Sequence, residues 1–150
     1  MADKVQFELV SPEKLLLSVA VEMVVVPGVE GYFGVLPGHA LFISAVRPEV
    51  IDVYDAGQVT ERLFVTGGFA EVTPERCTVL ADEAVPVASI DRGAAESALK
   101  TAEAEVASIE ERLGKMHGTE RDQAASELAA AAARRTVAEA KLAALAAAPH

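Results

Sequence analysis

The chain has 150 residues, 51% of them hydrophobic, which is enough for one domain with a full core and a smaller appendage. Its formal net charge is −10, and residues 1–90 carry thirteen acidic and five basic side chains, so binding to nucleic-acid phosphates is unfavourable and a basic protein surface would suit it better. A single cysteine, Cys77, excludes a disulfide framework and a cysteine-rich metal site, and we expect it to be a small buried hydrophobe.

The first ten residues, MADKVQFELV, contain no apolar run of the kind that a secretory signal requires. No window of the chain approaches the roughly 20 apolar residues needed to span a membrane. Charged residues such as Arg134 and Glu139 interrupt the alanine-rich stretch near the C-terminus. We therefore expect any membrane association to run through another protein.

The first half predicts short, valine-rich β-strands. Val5, Phe7 and Leu9 alternate with Gln6 and Glu8, the period-2 pattern of a half-buried strand. Turn signals separate the segments, and no long helical pattern falls between them, so an all-β sandwich is favoured over a parallel α/β sheet. The predicted strands cover residues 5–9, 15–20, 22–26, 32–36, 50–54, 58–66 and 76–81.

The period changes near Ser89, and the rest of the chain predicts two antiparallel helices, each with an apolar residue recurring at a spacing of four and three. Asp91 is expected to cap the start of the first helix and Gly118 its end. Thr119 and Asp122 have the spacing of a capping box for the second. These two apolar seams are Ala95, Leu99, Ala102, Val106, Ile109, Leu113 and Met116, and Ala124, Leu128, Ala131, Arg135, Ala138, Leu142 and Leu145.

The second seam is thin, because most of its residues are alanine and one is Arg135. Each CH₂ group missing relative to leucine forgoes about 0.8 kcal/mol of burial. The residues leave two interpretations open. The hairpin either docks on something else or comes apart in use, or it is an ordinary alanine-rich pair whose backbones approach closely.

No catalytic motif is present: the sequence has no P-loop, no dinucleotide-binding glycine motif and no zinc-protease motif. The histidines, His39, His117 and His150, are far apart and have no partner at metal-ligand spacing. Asp82 and Glu83 are neighbours at a strand end, where successive side chains point to opposite faces, so they are poor acid–base partners. We therefore predict no active site, no metal site and no cofactor.

The segment EGYFGVLPGH, residues 30–39, places three glycines and a proline within ten residues. This composition predicts a bent surface loop between strands, with Glu30 and His39 at its rims. A second pair, Gly67 and Gly68, predicts a hairpin turn or a crowded corner of the sandwich. The residues by themselves indicate structured surface features and no specific chemistry.

The segment at 30–39 resembles the E-G-x-x-G-[IV]-x-P-G-H loop of F-type ATP synthase epsilon subunits. TGGFAEV at 66–72 resembles their S-G-G-[FIL]-x-E-V block, and TVLADEA at 78–84 resembles T-[VI]-L-A-D-x-A, in the same order and spacing. The tail agrees through MHG at 116–118 and VAEAKL at 137–142. The chain is thus similar to a bacterial epsilon subunit over nearly its whole length.

The resemblance implies an α+β architecture, with an all-β sandwich over residues 1–88 and a regulatory α-helical hairpin over residues 89–150. It implies a non-catalytic rotor subunit in the central stalk of a proton-translocating ATP synthase, peripheral to the cytoplasmic face of the bacterial inner membrane. The sandwich would bind the gamma subunit and the c-ring. Glu30 and Gly31 would face the c-ring, and His39 would lie near gamma.

The resemblance further implies that the hairpin can fold beside the sandwich or extend along gamma to the alpha and beta catalytic subunits, where it inhibits ATP hydrolysis. Arg134 and Arg135 would then meet carboxylates of a catalytic subunit. Arginine suits that pairing because its guanidinium group binds a carboxylate in a bidentate manner.

Some epsilon subunits bind ATP at an [IL]-D-x-x-R-A motif, which reads IDRGAA here. Ile90 and Asp91 match, but Ala94 replaces the motif arginine and Thr101 stands at a further basic position. Arg92 is offset by two residues and would point elsewhere on a helix. Each lost guanidinium–phosphate contact removes about 1.5–3 kcal/mol, so we expect ATP binding to be weak or absent.

Two other interpretations remain open on the sequence. The chain could be a sandwich and coiled-coil adaptor of another complex, which would bind proteins other than gamma and the c-ring. It could also be a small-molecule-binding sandwich or a hydrolase that uses Asp82, Glu83 and His39. That second interpretation requires the three side chains to converge on one pocket.

Overall fold

The computed structural model describes residues 4–150, which form two compact units. One unit contains the described residues up to Ile90 together with Ala146–His150, and the other contains Asp91–Leu145. Within residues 4–150, no helix is long and apolar enough to cross a membrane. The first three residues, part of the segment considered for a secretory signal, lie outside the described residues.

The first unit is a β-domain, and the second is a pair of helices. The strands are β1 (Val5–Val10), β2 (Leu15–Val21), β3 (Met23–Gly28), β4 (Gly31–Val35), β5 (Phe42–Val46), β6 (Glu49–Asp55), β7 (Gln58–Val65), β8 (Gly68–Val72), β9 (Arg76–Ala81) and β10 (Ala84–Pro86). The helices are α1 (Arg92–Leu113) and α2 (Gly118–Ala146).

All ten strands belong to one hydrogen-bonded sheet, in the order β10-β7-β6-β3-β5-β8-β9-β1-β2, with β4 paired to β3. A single residue pair, Gly28 with Val46, joins β3 to β5, and the sheet turns there. Its two halves face each other across one apolar cluster that includes Phe7, Ile51 and Val79. The predicted all-β sandwich is therefore confirmed.

Strand β1 shows how the sequence pattern builds this domain. Val5, Phe7 and Leu9 point into the core and are at most 1% exposed. Gln6 and Glu8 point outward, where the Gln6 amide donates to the Ser18 hydroxyl at 2.8 Å and the Glu8 carboxylate lies 2.8 Å from Arg76 Nη1. One face of the strand thus supplies burial and the other supplies cross-strand polar pairs.

Each of the seven predicted strands is present, with ends shifted by at most two residues, whereas β5, β8 and β10 were not predicted. In β5 both inward Phe42 and outward Ile43 are apolar, so the strand has no clear period of two. Strand β8 begins at Gly68, which reads as a turn in the sequence. Strand β10 has only three residues, too few to show any period.

Gly68 lies at a crowded corner of the sandwich, one of the two predicted alternatives. A Cβ atom at this position would lie 1.9 Å from the carbonyl oxygen of Leu80 on β9. Its φ of +141° also belongs to a region that residues with a side chain rarely adopt. Only glycine lets β8 and β9 approach this closely at Gly68.

Cys77 lies in β9 and is fully buried in the core. Burial raises the pKa of its thiol to about 12, because the buried site disfavours the thiolate. The thiol stays protonated at neutral pH and behaves as a small apolar side chain. The expectation of a structural rather than a reactive cysteine agrees with this environment.

The helix pair follows the predicted seams but not every predicted cap. Asp91 caps α1 as expected, since its Oδ1 accepts the backbone N–H of Ala94 at 3.0 Å. The prediction that Gly118 ends the first helix is wrong: α1 ends at Leu113 with Gly114 as its cap, and Gly118 is the first residue of α2. Thr119 consequently lies inside the first turn of α2 rather than before it.

The helices run antiparallel, as the contact of Glu105 with Arg134 and that of Leu113 with Arg121 show. Their shared apolar cluster is small. It contains only four buried residues, of which two are alanine: Val106, Ile109, Ala124 and Ala131. The expectation of a thin interface between the helices agrees with this cluster.

We expect a Gly68→Ala substitution to destabilise the β-domain by about 3 kcal/mol or more, because it combines a backbone clash with an unfavourable φ. Denaturant unfolding monitored by far-UV circular dichroism measures the effect. Gly34→Ala in β4 is the matched control, since its new Cβ would make only an ordinary 3.5 Å contact with Met23 Sδ. Equal stability of the two variants would contradict the proposed close approach.

Candidate functional site

The segment 30–39 is a hairpin turn, a strand and a second turn rather than one bent loop. Val29 and Glu30 form the two-residue turn between β3 and β4, closed by the pairing of Gly28 with Gly31. Strand β4 follows, and His39 lies beyond its far end. Since a five-residue strand is about 17 Å long, Glu30 and His39 lie at opposite ends of it.

The turn at Glu30 is held from the neighbouring strand. The backbone N–H of Val29 donates to Ala45 at 3.0 Å, and Arg47 donates both its backbone N–H and a guanidinium N–H to this hairpin, at Pro27 and Gly28. Glu30 itself is exposed. The β-domain therefore presents an acidic side chain on a fixed turn, which suits contact with a partner.

His39 is held at the opposite end of β4. Its backbone N–H donates to Leu36 at 3.1 Å, its ring Nδ1 lies 2.7 Å from the Ala40 carbonyl oxygen, and its ring centroid is 6.4 Å from that of Phe42. The preceding residue, Gly38, donates to Pro74 at 2.7 Å, next to the start of β9. Asp82 and Glu83 follow the other end of that six-residue strand, about 20 Å away.

The hydrolase interpretation required His39, Asp82 and Glu83 to meet, and they do not. No group of three or more His, Cys, Asp or Glu side chains placed to hold a metal occurs among residues 4–150. The backbones of Asp82 and Glu83 instead join the β9–β10 turn to the β7–β8 turn through bonds with Gly67 and Thr66. These two acidic residues have a structural place at a strand end.

A continuous apolar row crosses the outside of the half-sheet formed by β5, β8, β9, β1 and β2. Ala45 pairs with Phe69, Phe69 with Leu80, and Leu80 with Val10, so these four side chains stand in line on the outer face. Leu15, which is paired with Val10 across a register shift and is exposed, lies at the end of this line. We call these residues the outer apolar row. The alternate residues of the same strands, such as Ala70 and Val79, enter the core.

The large side chains of the outer apolar row are exposed. Phe69 is 59% exposed, Leu80 51% and Leu15 55%. Ile43, two residues before Ala45 on β5 and on the same outer face, is 71% exposed. A contiguous row of exposed apolar side chains is a candidate contact site for another macromolecule. The sequence does not predict this row, because β5 and β8 do not have the pattern of strands. The row becomes visible only from the registers in which the strands pair.

The two predicted arginines of α2 occupy different environments. Arg134 Nη2 lies 2.6 Å from Glu105 on α1, in a pair whose side chains are 56% and 40% exposed. Such a surface pair contributes only about 0–1 kcal/mol and is readily exchanged for another carboxylate. Arg135 is half-buried within the apolar seam. Arg134 is therefore the more available of the two for a partner.

The degenerate ATP motif is used structurally. Asp91 caps α1, and the backbone N–H of Ala94 is the donor that satisfies it. Thr101 lines a shallow groove between α1 and α2 together with Arg112 and Arg134. Glu105 lies in the same groove and neutralises Arg134. A phosphate in this groove would meet two arginines, but it would also meet the carboxylate of Glu105.

The β-domain also identifies the family to which the chain belongs. Residues 4–87 match the model described as the beta-sandwich domain of the ATP synthase delta/epsilon chain. The chain belongs to the ATP synthase delta/epsilon chain family. The match covers almost all of the β-domain and confirms the resemblance that the sequence motifs indicated.

Relatives in this family carry the name ATP synthase epsilon chain. The chain from Rhodospirillum rubrum is 57% identical over 103 residues, which cover 69% of this chain and 77% of that one. The chain from Maricaulis maris is 49% identical over 126 residues, 84% of this chain and 90% of that one, so the likeness extends past the sandwich. These names bear out the prediction of an accessory rather than a catalytic subunit.

The fold is similar to that of a chain in the mitochondrial ATP synthase of Euglena gracilis, solved as an OSCP/F1/c-ring assembly. The TM-score is 0.75, and the match covers 95% of this chain and 82% of that one at 22% identity. At this identity the likeness concerns the fold alone.

We predict that the purified chain does not bind ATP with a dissociation constant in the low micromolar range, because the arginine of the motif is absent at Ala94. Isothermal titration calorimetry measures this. An Ala94→Arg, Thr101→Arg variant provides the matched comparison and should bind at least about tenfold more tightly, since each charge-assisted phosphate contact contributes about 1.5–3 kcal/mol. Low-micromolar binding by the unaltered chain would contradict the prediction.

Proposed function

We propose that this chain is the epsilon subunit of the central stalk of a bacterial F-type ATP synthase, where it turns with the rotor and has no active site of its own. The β-domain binds the gamma subunit and the c-ring and thereby helps to couple proton-driven rotation to the catalytic head. The hairpin regulates ATP hydrolysis. The protein works at the cytoplasmic face of the inner membrane and is held there through the complex.

The observation that carries this proposal is the family match of the β-domain together with the outer apolar row on that same domain. A stalk subunit needs a permanent contact with its rotor partner, and permanent interfaces are more apolar than ordinary protein surface. The outer apolar row supplies such a surface and faces away from the core. We therefore assign it to the gamma subunit.

The c-ring contact is assigned to the turn at Glu30 and Gly31. This turn is rigid, since the pairing of Gly28 with Gly31 and the bonds from Arg47 fix its backbone. Its exposed carboxylate suits polar loops that carry basic or amide groups. His39, about one strand length away, would lie toward gamma beside the apolar residues Leu41 and Phe42, which are 76% and 44% exposed.

The hairpin has the properties that a regulatory arm requires. Its shared apolar cluster is small, and the Arg134–Glu105 pair on its surface stabilises it little. In the proposed inhibitory state, Arg134 exchanges Glu105 for a carboxylate of a catalytic subunit. Such an exchange replaces one charge-assisted hydrogen bond by another and costs little free energy.

We expect Phe69→Ala and Leu80→Ala each to weaken binding of the gamma subunit by about tenfold or more, because burying a large apolar side chain contributes about 1.5–3 kcal/mol. Both residues are exposed, so the β-domain should fold normally. Surface plasmon resonance with purified gamma measures the effect. Gln58→Ala, an exposed position on β7, is the control; equal losses in all three variants would contradict the assignment.

Deleting residues 91–150 should leave gamma binding largely intact and should raise ATP hydrolysis by the assembled catalytic complex relative to the full-length chain. Arg134→Ala should raise hydrolysis in the same direction, while Arg121→Ala, which removes only a bond to Leu113, serves as the hairpin control. Steady-state ATPase assays of the reconstituted complex measure both effects. Unchanged hydrolysis on deletion would refute the regulatory role, and loss of gamma binding would refute the division of labour between the two units.

A further inference from the structure

A buried carboxylate on β6 has partners that the proposed function does not use. Asp52 is 0% exposed, and it is the one buried charged residue among residues 4–150. Its neighbours Ile51 and Val53 enter the core, so the Asp52 side chain is on the other face of the strand. Burying a carboxylate costs several kcal/mol unless donors surround it, so its partners have to be identified.

One partner comes from the adjacent strand. Asp52 pairs directly opposite Arg62 of β7, and Arg62 Nε donates to Asp52 Oδ1 at 2.9 Å. The second carboxylate oxygen, Oδ2, accepts the backbone N–H of His150 at 2.8 Å, and the His150 ring Nδ1 lies 3.4 Å from it. Within residues 4–150, the hydrogen-bond partner of Oδ2 is thus His150 rather than a residue of the sheet.

The backbone of the same tail is held at further points. Arg62 Nη1 donates to the carbonyl oxygen of Ala147 at 3.1 Å, and the Tyr54 hydroxyl donates to that of His150. Between them, Pro149 has no N–H that would need a partner. Residues 146–150 accordingly belong to the compact unit of the β-domain.

The side chain of His150 is recognised as well. Its ring stacks on Tyr32 of β4 with centroids 3.9 Å apart and an angle of 29° between the planes. The Arg47 guanidinium lies 4.4 Å from the centre of the same tyrosine ring and pairs with Glu49 at 2.9 Å. The tyrosine is therefore held in place by a cation–π contact while it presents a flat surface to the imidazole.

We propose that Asp52, Arg62, Tyr54 and Tyr32 form a peptide-docking site on the β-domain and that residues 147–150 of the same chain are its ligand. The site binds the backbone of the tail through one acceptor, Asp52, and two donors, Arg62 and Tyr54. It binds the imidazole ring of His150 through the ring of Tyr32. This assignment goes beyond the proposed function, because it concerns neither gamma nor the c-ring. Any movement that carries the tail off the domain must first break these contacts and return Asp52 to water.

NMR spectroscopy of the full-length chain tests the docking. We expect the His150 amide to exchange with solvent at least about tenfold more slowly than in an unstructured peptide, because a hydrogen bond to a charged acceptor is worth about 1.5–3 kcal/mol. The His150 ring protons should shift upfield from the ring current of Tyr32, and Tyr32→Leu should abolish that shift. His39 and His117 provide internal references, since only His150 should respond.

Variants of the site separate docking from folding. Tyr54→Phe removes one hydroxyl and Asp52→Ala removes the acceptor, and both should speed exchange of the His150 amide, whereas Glu61→Gln, exposed on β7, should not. If Asp52→Ala fails to fold, Tyr54→Phe and Tyr32→Leu decide the question. An unprotected His150 amide with unshifted ring protons, or protection that depends on protein concentration as for docking into a second copy, would overturn the proposal, and neither result bears on gamma binding.

Discussion

Closure of one sheet around a valine-rich core is the constraint on which the β-domain depends. The turn at the pairing of Gly28 with Val46 brings the two halves face to face, and Gly68 lets β8 approach β9 where a side chain would collide. The inward-facing side chains therefore pack in the core between the two halves of the sheet. The outward residues are free to serve partners, which is why the outer apolar row and the turn at Glu30 can coexist with a stable fold.

The helix pair follows a different balance of forces. Of the four buried residues in its apolar cluster, only Val106 and Ile109 are larger than alanine, and alanine buries much less apolar surface than leucine would. The β-domain has a dense core, whereas the hairpin has a light one, and local opening concentrates where few apolar contacts are buried. This contrast supports the proposal that one part stays attached to a rotor while the other changes its contacts.

The sequence predicted the fold wherever a single face of an element was apolar. Strand β1 and the two helix seams show clean periods of two and of four and three, and they were found. Strand β5 escaped because Phe42 and Ile43 are apolar on both faces, and Gly118 was misplaced because its positive φ serves the start of α2 rather than the end of α1. The outer apolar row and the surroundings of Asp52 depend on strand register and long-range contacts, which composition and spacing do not contain.

The parallel pairing of β1 with β9, in which Gln6 lies opposite Arg76, fixes when the protein can fold during translation. Strand β1 can pair early with β2, which follows it directly, but about half of the chain separates it from β9, so its second pairing forms late. High contact order of this kind slows folding. The alternation of Gln6 and Glu8 with the apolar residues of β1 limits the apolar surface that this strand presents before β9 is made.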